Sequence, residues 1–328
     1  MSTPVRRPER VDVCIVGAGA TGGFLGAHLA RSGQEVLLVA RGPHLAAMLR
    51  RGLTVRSGGE EFTAHPDCTD DLAAIGGAEV VFLTLKAHAI PALAPALGAA
   101  LGKGAALVSA QNGIPWWYFP DRHVEAVDPG GVIARSIPYE SVVGCVVYPA
   151  TSVVEPGVIE HVEGTRFSLG EPDGSRSDRV QAIAAALVKA GLKAPVQTRI
   201  RGEIWLKVLG NATLNPISAL TRATLREIVT SPATRDLVRQ LMEEVDSVAR
   251  AEGVEVPLSI EKRMEGAAAT GDHRTSMLQD LEQKRPLEID ALLGAVVELA
   301  ETSGVEVPAL RTVYGLTKLL DEVNRSRS

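Results

Sequence analysis

Aromatic residues are scarce in this chain: twelve among 328 positions, or 4%. A core drawn from the 45% of hydrophobic residues must therefore be aliphatic and rich in alanine. Basic residues are not in surplus either. Lys and Arg number 34 against 39 Asp and Glu, for a formal net charge of −5. The electropositive footprint of a nucleic-acid partner is absent. Three cysteines, Cys14, Cys68 and Cys145, are too few and too scattered for a disulfide framework. Two of them fall in predicted strands, the pattern of reduced thiols in a cytoplasmic protein. No apolar run is long enough to span a bilayer, so no membrane partner is expected. Met1–Arg10 is polar and basic without an apolar centre. It reads as a disordered tail and not as a signal peptide. The length favours two domains over one.

What the chain does have is a run of strand formers, Val11-Asp12-Val13-Cys14-Ile15-Val16, that ends in Gly17-Ala18-Gly19-Ala20-Thr21-Gly22 and passes into a predicted helix. Each glycine of this Gly-x-Gly-x-x-Gly series has a task. Gly17 permits the tight turn, Gly19 lets backbone approach a pyrophosphate, and Gly22 lets helix pack closely on strand. Amides at the helix N-terminus and the positive end of its dipole then face the phosphates. A glycine-rich turn of an ordinary α/β protein would leave the triple spacing unexplained.

Strand and helix patterns alternate through the first half. Strands are expected at 11–16, 35–40, 80–85 and 105–110, with helices at 20–32, 43–51 and 90–101 and a hairpin across Ser57-Gly58-Gly59. The alternation implies a parallel sheet with right-handed crossovers. Beyond it, 142–148 reads as strand, and 151–171, with Pro156-Gly157 at its centre, as antiparallel additions to that sheet. A helix at 176–190 and a short strand at 195–198 follow. From about residue 200 only helical periodicity remains, at 204–215, 231–252, 258–269, 276–284, 286–302 and 307–324; the last four residues read as a frayed tail. The fold class is thus α/β: an N-terminal Rossmann-type doubly wound sheet, residues 1–199, followed by an all-helical C-terminal domain, residues 200–328.

The end of the second strand bears on the choice of dinucleotide. A carboxylate there would take the ribose 2′-hydroxyl of NAD. This chain has Val39-Ala40-Arg41-Gly42 instead. The planar guanidinium of Arg41 suits a 2′-phosphate, so NADP(H) is favoured over NAD. Lys86 and Gln111-Asn112-Gly113 follow two further parallel strands, where such sheets bind ligands. Lys86 is either a solvated lysine or an electrostatic anchor for phosphate and acid; Asn112-Gly113 is either a plain turn or a contact to substrate or nicotinamide ribose.

In the second half, Lys207, Asn211 and Asn215 stand four apart and form one polar stripe on an otherwise apolar helix. The stripe faces solvent or a polar cleft, and the apolar surroundings favour the cleft. Partial burial there would bring the lysine toward the range useful for proton transfer. Ser276 with Gln279 matches a capping box, a structural explanation for the serine. Glu288 reads as lying just inside a helix opened by Pro286, where the dipole favours a carboxylate whatever its function. It nevertheless shares a face with Leu292, Ala295 and Leu299.

Taken together, Gly17-Ala18-Gly19-Ala20-Thr21-Gly22, Lys86, Gln111-Asn112-Gly113, Trp205-Leu206-Lys207 with Asn211 and Asn215-Pro216, and Ser276-Met277-Leu278-Gln279-Asp280 with Glu288 resemble the ketopantoate reductase family over nearly the whole chain. The resemblance implies NADPH-dependent reduction of 2-dehydropantoate to (R)-pantoate in the pantothenate pathway. It assigns Lys207 as general acid, Glu288 as the holder of a substrate hydroxyl, and Asn112, Asn211, Asn215 and Ser276 as substrate-binding residues. Substrate would then touch Asn112 from the first domain and the others from the second. The chain departs from the family pattern at Leu225, where some members carry another substrate-binding asparagine. It also departs at Trp116-Trp117-Tyr118-Phe119, a third of all its aromatics. That segment reads as a packed loop, a contact in a homodimer, or a lid. The alternatives are a related reductase of another small keto acid and a non-catalytic NADP(H) sensor, which would need the glycine loop but no proton donor.

Arg41 generates the first prediction. Loss of a charge-assisted phosphate contact costs roughly 1.5–3 kcal/mol. Arg41→Ala should therefore weaken NADPH binding about ten- to hundredfold and leave NADH nearly unchanged, as read by titrating both cofactors into both proteins. Equal wild-type affinity for the two cofactors would refute the assignment.

Overall fold

The structure, a computed structural model, describes residues 11–272 and 274–326. The N-terminal arm Met1–Arg10 and the last two residues of the expected frayed tail lie outside the described residues. The chain divides into two units. One comprises residues up to 111 together with 132–200, and the other comprises 112–131 together with 201 onward. The segment 112–131, which the sequence assigns to the first domain with Asn112 at its head, thus belongs with the helices.

The first unit runs, in chain order, β1 (Val11–Val16), α1 (Ala20–Arg31), β2 (Val36–Val39), α2 (Gly42–Arg51), β3 (Leu53–Ser57), β4 (Glu60–Ala64), β5 (Asp67–Thr69), β6 (Ala78–Leu83), α3 (Ile90–Ala100) and β7 (Ala106–Ser109). After the excursion come α4 (Val132–Ser136), β8 (Val142–Val147), β9 (Ala150–Glu155), β10 (Val158–Glu163), β11 (Phe167–Gly170) and α5 (Asp178–Lys189). Seven strands form one sheet in the order β11-β8-β7-β6-β1-β2-β5. All neighbours in it are parallel except β11 against β8. Its central strands are unbroken apolar runs, such as Val-Leu-Leu-Val in β2, because helices cover both faces. The chain winds outward from β1 in both directions, so the strand order reverses between β1 and β6. Ligands bind at such a switch point, beyond the carboxyl ends of the strands.

One expectation holds only in part and another fails: of the stretch 151–171, β11 does add antiparallel to the main sheet. The hairpin at Pro156-Gly157 is present, but β9 and β10 do not extend the main sheet. They join β3 and β4 in a second sheet, ordered β4-β3-β10-β9, with β10 parallel to β3. Two hairpins, each marginal alone, gain stability by pairing and by covering the outer side of α1. Gly23 of α1 faces Ile159 and Leu53, and Phe24 stacks on His161 with ring centroids 4.5 Å apart. The strand expected at 195–198 is a single bridge between Leu169 and Val196. The edge strand β5 was not foreseen, since three residues carry no periodicity. Cys14, Cys68 and Cys145 are free and buried, and burial pushes the Cys14 and Cys68 thiols up to about 12.

The second unit is helical. Its elements are α6 (Ile200–Thr221), α7 (Leu225–Thr230), α8 (Pro232–Ala251), α9 (Ile260–Ala269) and α10 (Ser276–Glu282). A π-helical turn, Asp290–Gly294, leads into α11 (Ala295–Ser303), and α12 (Pro308–Ser326) follows. No helix of the described residues is long and apolar enough to cross a membrane. Helix α6 does not stop before Pro216 as expected; it carries the proline inside it. The proline removes one helical hydrogen bond. The surrounding residues 212–219 are all buried, and that packing holds the helix together.

The aromatic segment is a packed loop within this unit. Trp116, Trp117 and Tyr118 are buried. The indole Nε1 of Trp205 on α6 donates to the Tyr118 hydroxyl at 2.7 Å, and the Arg201 guanidinium donates to the Tyr118 carbonyl at 3.0 and 3.1 Å. Farther along, the Glu125 and Ala126 amides both donate to the Glu298 carboxylate.

Removal of the Tyr118 hydroxyl would leave a buried indole N–H without an acceptor, at a cost of roughly 1–3 kcal/mol. Tyr118→Phe should lower the denaturation midpoint accordingly in urea unfolding followed by tryptophan fluorescence. An unchanged midpoint would show that this bond does not hold the segment to α6.

Candidate functional site

In the first unit the glycine turn lies at the switch point. Gly17 has φ 99°, and a Cβ there would fall 2.7 Å from the Leu85 side chain. At Gly22 a Cβ would meet the Gly17 carbonyl at 2.5 Å and the Thr84 hydroxyl closer still. Both positions are glycine for reasons internal to the fold. Gly19 is different. It is exposed, and a Cβ there would find nothing nearer than the Gly17 carbonyl at 4.0 Å. Nothing inside the fold requires glycine there. Ala18 is buried, so only its backbone is available. Helix α1 starts at Ala20 without an acidic residue in its first turn. The amides of Ala20, Thr21 and Gly22 lack intrahelical acceptors, and the positive end of the dipole adds to them. These residues fit a pyrophosphate.

Neighbouring strands hold the turn. The Gly17 and Ala18 amides donate to the Val39 carbonyl at 3.1 and 3.0 Å, and the Thr84 hydroxyl donates to the Gly17 carbonyl at 2.8 Å. Gln111 donates to the Leu83 carbonyl at 2.5 Å and accepts from Ser109 at 2.6 Å, tying the end of β7 to that of β6. Beyond β2, Arg41 is the exposed N-cap residue of α2. Among the described residues it forms no ion pair. Lys86 is half-buried and opens the turn Ala87–Ala89 after β6. Thr84 and His44 were missed in the sequence. The Nδ1 of His44 accepts from the Gly157 amide at 3.0 Å, and burial moves the imidazole below its usual range. Their partners lie far away along the chain, so no local motif marks them.

In the second unit, Lys207, Asn211 and Asn215 share one side of α6. Lys207 and Asn211 are half-buried and Asn215 is buried. The stripe is therefore not a solvated face. Asn112, at the head of the returning segment, donates from Nδ2 to Oε2 of Glu288 at 3.3 Å. These two residues stand 176 positions apart in sequence.

Two sequence readings need correction. The cap of α10 is Thr275, not Ser276: the Thr275 hydroxyl accepts from the Leu278 amide at 3.2 Å. Thr275 is buried while Ser276 is exposed. Either hydroxyl can cap, and packing selects Thr275; the capping explanation of Ser276 falls away. Glu288 is not inside a helix opened by Pro286. Residues 285–288 are irregular, and helical structure begins at Ile289. Glu288 is half-buried on a loop anchored at both ends. Arg285 pairs with the buried Asp280 at 2.9 Å, and the Leu287 amide donates to the buried Asp321 at 3.2 Å.

Known proteins match the chain in two consecutive stretches, the first of which includes 112–131. Residues 13–174 match the family described as ketopantoate reductase PanE/ApbA, and residues 199–321 match its C-terminal counterpart. A 2-dehydropantoate 2-reductase from Mesorhizobium japonicum is 45% identical over 318 residues, which cover 94% of this chain and 98% of that protein. The crystal structure of a candidate ketopantoate reductase from Ralstonia solanacearum MolK2 superposes with a TM-score of 0.91 at 39% identity, covering 96% and 99% of the two chains. A D-mandelate dehydrogenase solved with NADH and anilino(oxo)acetate shares the fold, with a TM-score of 0.84 at 21% identity over 96% and 99%.

The reassigned cap separates two adjacent hydroxyls. Thr275→Ala should destabilise the protein by about 1 kcal/mol through α10, whereas Ser276→Ala should leave the melting temperature unchanged. Equal losses would return the cap to Ser276.

Proposed function

The chain belongs to the ketopantoate reductase family, an oxidoreductase acting on a CH–OH group, and we propose that it reduces 2-dehydropantoate to (R)-pantoate with NADPH, in pantothenate and coenzyme A biosynthesis. The observation that carries the reading is the Asn112–Glu288 hydrogen bond in the unit that also holds the Lys207 stripe. Gly17, Ala18, Gly19, Ala20, Thr21 and Gly22 would hold the pyrophosphate, Arg41 the 2′-phosphate, and Lys86 and Asn112 would complete the cofactor site. When bound, NADPH supplies the hydride.

The residues divide the remaining work. Lys207 gives a proton from Nζ to the 2-keto oxygen as negative charge develops there. Asn112 donates to Oε2 of Glu288, so that oxygen is the acceptor at this contact. In this reading the Glu288 carboxyl accepts from the substrate hydroxyl. The second N–H and the oxygen of the Asn112 amide stay available for substrate. Asn211, Asn215 and Ser276 supply neutral donors and acceptors that orient the carboxylate without adding charge. The buried thiols fit a reducing compartment, and we place the protein in the cytoplasm.

Lys207→Ala separates chemistry from fold. NADPH affinity and melting temperature should stay at wild-type values while turnover of 2-dehydropantoate falls about 10²–10⁴-fold. Near-wild-type turnover in the folded variant would remove Lys207 from the mechanism. The substrate is tested by steady-state NADPH oxidation with a panel of keto acids that includes the 2-keto acid of mandelate. Preference for an acid other than 2-dehydropantoate would overturn the substrate assignment and leave the reaction type standing.

A further inference from the structure

The π-helical turn at Asp290–Gly294 begins two residues after Glu288. In it the Ala295 amide donates to the Asp290 carbonyl, five residues back instead of four. One extra residue widens the turn, and such single turns are uncommon and concentrate at functional sites. What the widened turn does here is visible in its contacts. The Ala291 carbonyl accepts from the Ile114 amide at 3.1 Å, from outside the helix. Gly113, at φ 87°, lies so close to the same carbonyl that no side chain fits between them. Asn112 is the next residue back, and its amide meets Glu288 at 3.3 Å. The π-turn thus grips the backbone of 113–114 immediately beside the side-chain contact of the proposed site.

Helix α12 braces this turn. The Tyr314 hydroxyl donates to Oδ1 of Asp290 at 2.7 Å, and Lys318 Nζ reaches both carboxylate oxygens at 3.1 and 3.2 Å. The same hydroxyl stands over Gly294, where a Cβ would come within 3.1 Å of it and 3.3 Å of Asp290 Oδ1. One phenol therefore spans the first and last residues of the π-turn. Burial, reinforced by the Asp290 carboxylate, pushes the phenol up from its usual range, so it remains a donor.

We infer that Tyr314 and Asp290 are positioning residues: they hold the π-turn open so that the Ala291 carbonyl sets Asn112 in register with Glu288. Neither need touch substrate or cofactor. Collapse of the turn to α-helical pitch would rotate the Ala291 carbonyl back toward the helix axis and release 113–114. Asn112 and Glu288 would both survive, but out of register. This inference rests on the proposed roles of Asn112 and Glu288.

The test is a double-mutant cycle on the full-length protein with NADPH and 2-dehydropantoate. Tyr314→Phe should lower kcat/KM for the keto acid by roughly tenfold, because sub-ångström misplacement of a substrate-holding group is costly. NADPH affinity, read by nucleotide fluorescence, should fall no further than it does in Asn112→Ala. In an Asn112→Ala background the same substitution should change kcat/KM less than about twofold, since the contact it registers is already lost. Gly294→Ala, which crowds the hydroxyl without removing it, should reproduce this pattern and serves if Tyr314→Phe does not fold. Equal losses in both backgrounds, or full activity in the folded single variants, would overturn the inference alone. Wild-type kcat/KM in Asn112→Ala itself would overturn the site reading and the inference with it.

Discussion

A hydrogen atom is the largest substituent that Gly22 can carry, because the Gly17 carbonyl and the Thr84 hydroxyl occupy the space where a side chain would begin. This limit lets α1 seat directly on the ends of β1 and β6. The amides that would meet a pyrophosphate are therefore placed by close packing of three elements. The opposite side of α1 is covered by the second sheet, through Gly23 against Ile159 and Phe24 against His161. A helix fixed on both sides cannot shift its N-terminus, and preorganised amides stabilise negative charge without paying to reorient.

The elements of the fold were largely legible because periodicity and turn chemistry are local. The first unit's parallel strands other than β5, the helices α1, α2, α3 and α5, and both hairpins follow from windows of ten to twenty residues. Pairing is not local, and this is where the reading failed. Nothing local in Ala150–Glu163 distinguishes an addition to the main sheet from a partner for β3, because the partner strand lies about a hundred residues away in sequence. Pro216 illustrates a second limit. Local propensity ends a helix there, while burial of residues on both sides carries α6 through it.

The proposed site was legible to a comparable degree and for similar reasons. The spacing of Lys207, Asn211 and Asn215 fixes their common side once the helix is accepted. The hydrogen bond between Asn112 and Glu288 had no local signature; the resemblance named both residues without pairing them. Thr275 and Ser276 mark the finest limit. Two adjacent hydroxyls have equal capping chemistry, and only the burial of one decides between them. Tyr314, Asp290, Thr84 and His44 act through partners distant in sequence, so inspection of a single chain could not have found them.

The helical unit is assembled from two stretches of chain, 112–131 and 201 onward, with the whole of β8 to α5 encoded between them. The polypeptide accordingly passes from one unit to the other three times. In evolutionary terms this interlacing hinders clean modular shuffling. A single breakpoint that transfers the complete helical unit must also transfer residues 132–200 of the nucleotide-binding unit, because the strip that bears Asn112 and the buried tryptophans precedes them. The helical unit therefore cannot be exchanged cleanly, and part of the sheet unit travels with it.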